Sequence, residues 1–285
     1  MKYFVDMHDD ALHFIPGIDE AKCNEVLQSY NAVGEILFFH RMGQCVCDAL
    51  DQLRKWSNKA NPSGNYLLRN LHAADKLVRG FLFEFRTCLD YMEAHIKDEY
   101  GEDSEIWKIF DENTSIAYDS CPEYAFTYHL RNCAQHCRDV VHGFNGTSGI
   151  GISSNAGRLL REYKKWKPVD KEFLQNAGNE VDLLLTFSNA FQAFNTALRP
   201  VMTYLLNNNS IGGEVTFLHQ WGDYLCNGYG HDVHCYHIID INFQDGRSAT
   251  REDMDSGNVV LNAYPIDWES IYKLSNSIIK QKKNK

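Results

Sequence analysis

Arg131 and His136, five positions apart and with Asn132 directly after the arginine, bring together residue types that handle phosphates and protons. A histidine of ordinary pKa, about 6.5, can accept or supply a proton near neutrality. Arginine is a permanent, planar, two-pronged cation, able to hold a phosphate and to stabilise charge that develops on it. Asn132, about one turn before His136, can fix the imidazole tautomer or bond a phosphate oxygen. Arg131, Asn132 and His136 form the candidate catalytic set, with His129 and Arg138 as binding candidates beside them. Each also has a structural alternative. His136 could bond a carbonyl, Arg131 could pair with an acid of the 98–119 stretch, and Asn132 could bond inside a helical bundle.

These residues share one predicted helix, from Pro122 to about Val141, with Phe126, Leu130, Cys133, Cys137 and Val140 as its apolar stripe. At about 100° per residue, His129, Asn132 and His136 fall along one flank of that stripe. Arg131 lies roughly 140° around the helix from His136 and shares its face with Arg138. A single regular helix therefore presents the pair awkwardly. Either the helix distorts near Gln135, or a two-fold dimer brings the arginine of one subunit toward the histidine of the other.

Other clusters compete. His231, His234 and His237, with Cys226 and Cys235 nearby, are of zinc-ligand type. Strand alternation opposes a shared site, because in a strand from Cys235 to Phe243 His237 faces with Ile239 and Ile241 while His234 faces the other side. They converge only if the strand begins after His234. Gly146 to Gly151 is glycine-rich but lacks the lysine and hydroxyl of a phosphate loop, so hairpin flexibility accounts for it. Cys45, Cys47, Cys133 and Cys137 sit at apolar helical positions and read as buried thiols. No metal or other cofactor is expected.

The surrounding elements read as mainly α. Apolar spacing predicts a helix from Asp19 to about Lys59 with a bend near Gly43, then the strongest amphipathic pattern in the chain from Asn65 to Glu99. An acidic stretch, Asp98 to Asp119, carries a short apolar patch that could dock a brief helix. After the Pro122 helix come a hairpin near 143–153, a helix capped by Ser154 or Asn155 and running to Trp166, and a long helix from Leu174 with Pro200 inside it. Strands are expected at Glu214–His219, Cys235–Phe243 and Asn258–Tyr264, with a turn at Asp245-Gly246 and a last helix from Trp268 to Lys280. The predicted organisation is an N-terminal extension over 1–19, a helical bundle over 20–208, and a small C-terminal α+β addition over 211–285.

The run His129-Leu130-Arg131-Asn132-Cys133-Ala134-Gln135-His136, after a long helix and an acidic spacer, resembles the Arg-(four to six residues)-His signature of the HEPN superfamily. The resemblance covers roughly residues 20–208. It implies an all-α bundle that dimerises and favours the two-fold arrangement of the site. It also implies a metal-independent endoribonuclease of the toxin or defence type, in which a ribose 2′-hydroxyl attacks the neighbouring phosphate to leave a 2′,3′-cyclic phosphate. Implied roles are acid/base for His136, phosphate clamp for Arg131 and support for Asn132. RNA would be the substrate, and an antitoxin or other protein the partner. The alternative is a non-catalytic HEPN-like scaffold that binds a protein or nucleotide partner.

Composition bounds these readings. A chain 44% hydrophobic, with 5 Trp, 15 Tyr and 16 Phe, has material for a sizeable core. No run approaches the roughly 18 apolar residues of a membrane span, and the start is acidic where a signal peptide would be basic, so a cytoplasmic location is expected. Nine cysteines, odd in number and irregular in spacing, favour reduced thiols. The net charge of −10 opposes a broad nucleic-acid-coating surface and leaves room only for a local one.

Overall fold

The computed structural model describes residues 2–8, 11–60, 67–136, 139–145, 151–208, 211–243 and 259–283. The expected Asp245-Gly246 turn, Arg138, Cys137 and most of the glycine-rich run lie outside them. The protein is mainly helical, with a small share of strand. None of its described helices is long and apolar enough to cross a membrane. The chain separates into two compact units, residues 1–40 with 205–285, and residues 41–204. This differs from the expected organisation, because the first residues are no extension.

In the first unit, β1 (Lys2–His8) and β2 (Ala11–Phe14) form a hairpin, and β1 pairs antiparallel with β6 (Tyr236–Phe243), which pairs with β7 (Val259–Tyr264). The sheet order is β2-β1-β6-β7. Alternation buries Val5, Ile239 and Ile241 on one face, while Phe4 on the other stacks on Trp221 with ring centroids 5.9 Å apart. α1 (Glu20–Ala32) is capped by Asp19, whose carboxylate accepts from Lys22 N at 2.8 Å. The helix break falls at Val33, before α2 (Gly34–Lys59), and not at Gly43, which lies within α2.

The strand expected at Glu214–His219 is instead part of α9 (Ile211–Tyr229). Its buried residues Ile211, Val215, Leu218, Gly222 and Leu225 recur at three- and four-residue spacing, a helical period that the local alternation of Val215, Phe217 and His219 obscures. α9 packs on α10 (Trp268–Lys283). A Cβ on Gly222 would stand 2.7 Å from Tyr272 Oη, so glycine permits the close approach.

The second unit is organised on α3 (Leu67–Tyr100), where Ala74, Val78, Phe81, Phe85, Cys88 and Met92 recur at three- and four-residue spacing and are all buried, while Leu67 at its start is exposed. Gly101, at φ +84°, ends it. Ser104 then caps α4 (Glu105–Ser120) by accepting from Trp107 N at 3.2 Å, so the acidic stretch carries a full helix. α5 (Pro122–His136) follows; α3 contacts both α4 and α5. The expected hairpin forms from β3 (Gly143–Asn145) and β4 (Gly151–Asn155), and β5 (Glu180–Asp182) adds to β4.

Asn155 caps α6 (Ala156–Glu162), which stops short of Trp166; that indole is buried in extended chain and donates to Leu159 O at 3.0 Å. The single long helix expected from Leu174 is divided into α7 (Pro168–Asn176) and α8 (Leu183–Asn208). Gly178, at φ +74°, and β5 separate them. Pro200 lies inside α8. Aromatic packing joins the pieces: Phe81 stacks on Phe187 at 4.5 Å, and Phe126 lies 4.7 Å from Phe173 and 5.6 Å from Trp166.

Candidate functional site

α5 forms where expected because Pro122 sets its first turn and Phe126, Leu130 and Cys133 bury one stripe completely. It stays regular through His136, so the distortion near Gln135 that would align the pair does not occur. Its exit is held from α3. Asp75 Oδ1 accepts from Val140 N at 2.7 Å and Val141 N at 3.1 Å, while Arg79 pairs with Asp75 and donates to Ala134 O. The side chains on the last turns of α5 therefore project from a fixed base.

Arg131 Nη1 donates to Gln135 Oε1 at 2.8 Å, one turn on, and reaches Asn132 Oδ1 at 3.5 Å. It does not pair with the acidic stretch. His136 is exposed, and its ring stacks on Tyr163 with centroids 6.1 Å apart and planes 13° from parallel. Within one chain the two residues thus engage different neighbours, as five positions on a regular helix require. Neither is buried beneath α4.

His129 behaves differently. Its Nδ1 lies 2.9 Å from the carboxylate of Asp170, and the side chains are 12% and 0% exposed. The adjoining cleft, of about 400 Å³, is also lined by Asp90, Glu93, Asp119, Tyr118 and Tyr128. Asp90 and Glu93 are ion-paired to Arg86 and Lys97, and His129, expected among the binding residues, is nearly buried and engaged by Asp170.

The partner of His136, Tyr163, lies in a sequence stretch rich in cations. Tyr163 is buried, but Arg161, Lys164 and Lys165 around it are exposed, and among the described residues none of these three forms an ion pair. Arg158 by contrast is tied to Glu162 at 2.6 Å. The lysine pair is visible in the sequence, but its link to His136 comes only through the Tyr163 contact.

The histidines of the C-terminal region do not assemble. β6 does begin after His234, the one condition for convergence, yet His231 Nε2 lies 3.6 Å from Asp6, His234 Nε2 lies 3.6 Å from Asp232, and they form no three-ligand group with His237. Burial lowers the His237 pKa, and its Nδ1 is buried without a hydrogen-bond partner among the described residues. Sequence reasoning also missed His219, whose Nδ1 lies 2.6 Å from Ser275 Oγ, with Asp223 Oδ2 3.7 Å from its other nitrogen. Those are the residue types of a nucleophile triad, but Ser275 is only 4% exposed, inside α10, and serves packing. No family model, curated protein or solved structure matches the chain.

Proposed function

We propose that the protein is a metal-independent endoribonuclease of HEPN type, of the toxin or defence kind, with each site completed across the two-fold axis of a homodimer. The observation that carries this reading is the exposed His136 ring on Tyr163, which the exposed Lys164 and Lys165 follow in sequence without an ion pair among the described residues, at the same end of α5 as Arg131 and Asn132. His136 takes the proton of a ribose 2′-hydroxyl, whose oxygen attacks the adjacent phosphorus. The 5′-oxygen leaves with a proton returned from the imidazolium, and a 2′,3′-cyclic phosphate remains. Arg131 of the other subunit clamps the phosphate oxygens, Asn132 supports the imidazole or a phosphate oxygen, and Lys164 and Lys165 hold the flanking backbone.

The test is cleavage of single-stranded RNA by the full chain in EDTA, with the product ends identified. Cyclic phosphate ends that disappear in His136→Ala are expected. Intact RNA, or equal cutting by the variant, overturns the reading. A second reading draws on the Arg131–Gln135 hydrogen bond, which occupies the arginine within its own chain. It is a non-catalytic helical scaffold that uses the same surface to bind a protein or nucleotide partner, and it is what RNA binding without cleavage would leave.

A further inference from the structure

Outside the α5 region, the second unit contains a set of side chains that the ribonuclease chemistry does not use. Cys45 on α2, with Glu84 and Cys88 on α3, each place one ligand atom within 4.8 Å of the other two. Among the described residues this is the only group of three His, Cys, Asp or Glu side chains so arranged. Glu84 and Cys88 are four positions apart on one helix and so share a face. Cys88 is 3% exposed, whereas Cys45 is an exposed residue whose thiol is partly covered. The expectation that Cys45 is a buried core thiol is therefore corrected. Cys45 and Glu84 line a groove of about 390 Å³, with Asp48, Gln52 and Lys76 also in its wall.

We propose that Cys45 Sγ, Cys88 Sγ and a Glu84 carboxylate oxygen bind a zinc-class divalent cation, with its fourth position open to the groove. The donor set is the one such ions take, two soft sulfurs and one oxygen. Ligands about 2.0–2.3 Å from a tetrahedral centre stand roughly 3.5 Å apart, so atoms already within 4.8 Å need only small side-chain adjustments. Two thiolates and a carboxylate exceed the charge of the dication by one, which leaves the fourth position to a neutral water. Asp48 is engaged instead by Gln44 Nε2 at 2.7 Å. Lys76 opposes a cation from the groove wall, but Glu84 and Asp48 outnumber it.

A redox-switch disulfide is the rival use of paired cysteines, and the surroundings oppose it. Reactive thiols sit in electropositive settings that favour thiolate. Here burial, then Glu84 and Asp48, push the Cys45 thiol up, and burial, then Cys45 and Glu84, push Cys88 up to about 12. The same acidic, partly desolvated setting that keeps the thiols protonated attracts a dication. On binding, the ion displaces one proton from each sulfur, and those two protons leave to solvent. The site would tie α2 to α3, the next helix in the chain, through Cys45 and Cys88.

The test is titration of the full, reduced chain, dialysed free of metal, with Co²⁺. One equivalent should bind, with the visible bands of tetrahedral cobalt and the near-ultraviolet sulfur-to-cobalt charge transfer of two thiolates, and Zn²⁺ should displace it. Cys45→Ser, chosen because the residue is exposed and its loss leaves the core intact, should roughly halve the charge transfer per bound ion and weaken affinity more than about tenfold. Cys226→Ser should change neither. Absence of the charge-transfer band at one equivalent, or an unchanged band in Cys45→Ser, overturns the proposal. So does a Cys45–Cys88 disulfide that forms in air at the same rate with and without Zn²⁺.

Discussion

His129 Nδ1 donates to a fully buried Asp170 carboxylate at 2.9 Å, and this contact joins α5 to the first turn of α7, 41 positions away. The other oxygen of Asp170 accepts from Lys167 N at 2.8 Å, so one carboxylate both caps α7 and anchors α5. The last turns of α5, with Arg131 and His136, extend from that anchor.

Removing this carboxylate should therefore cost stability and leave the chemistry of the site largely intact. Asp170→Ala loses a cap and a charge-assisted hydrogen bond, together about 3 kcal/mol, and Asp170→Asn, which keeps an acceptor, about 1 kcal/mol. His129→Ala should cost about 2 kcal/mol, because it strands a buried acceptor, with RNA affinity per folded molecule unchanged. Denaturant unfolding and RNA titration together check this. A stability change under about 0.5 kcal/mol in Asp170→Ala would place the pair among inconsequential surface contacts.

What the sequence reveals follows the range of the interaction. The apolar pattern of α3 and the cap at Asn155 are local patterns, visible from residues a turn or two apart. The strands β1 and β2 were not legible, because what makes Lys2–His8 a strand is β6, at the other end of the chain. The helical period of α9 was hidden by two adjacent glycines and a short alternating run. At the site, the separation of Arg131 from His136 around α5 was legible from angle alone. Asp170, Tyr163 and the pairing of Cys45 with Cys88 were not, since each partner comes from a distant segment.

A composite site makes a distinctive prediction for mixed subunits. Arg131→Ala and His136→Ala should each be inactive alone, because every site lacks one member. Mixed and allowed to exchange subunits, they form heterodimers in which one site has both residues and the other neither. With random pairing, about a quarter of the wild-type activity should return. Mixing that restores nothing, in chains shown to exchange, would mean that Arg131 and His136 do not cooperate across an interface. Arg131→Lys tests the clamp itself: it keeps the charge but loses the planar fork, and kcat should fall by about 10² or more.

The exposed lysines should be read through salt. If Lys164 and Lys165 each neutralise one phosphate of single-stranded RNA, replacing both with alanine lowers the slope of log affinity against log salt by about 1.4. Affinity should drop most at low salt, and kcat at saturating RNA should hold, since neither lysine touches the reacting atoms. An unchanged slope would place the RNA path elsewhere. Both side chains are exposed and without ion pairs among the described residues, so the replacement should leave folding intact.

His142 sets a further, acid-sensitive limit on the same region. Its Nδ1 accepts from Asn155 N at 3.0 Å, at the residue that caps α6, and its Nε2 is buried with no hydrogen-bond partner among the described residues. Burial, then the Arg158 charge, lower its pKa below the ordinary histidine value. The unfolded chain therefore binds the proton first, and stability falls as pH drops below about 6.5, levelling only beneath the folded-state pKa. Protonation would also convert Nδ1 from acceptor to donor and break the bond to Asn155. His142→Asn supplies an amide oxygen as acceptor and cannot titrate, so its stability should be flatter between neutral pH and about pH 5 than that of the wild type. Unfolding midpoints measured across that range decide the matter. Parallel curves for the two proteins would show that acid loosens this hairpin and the start of α6 through some group other than His142.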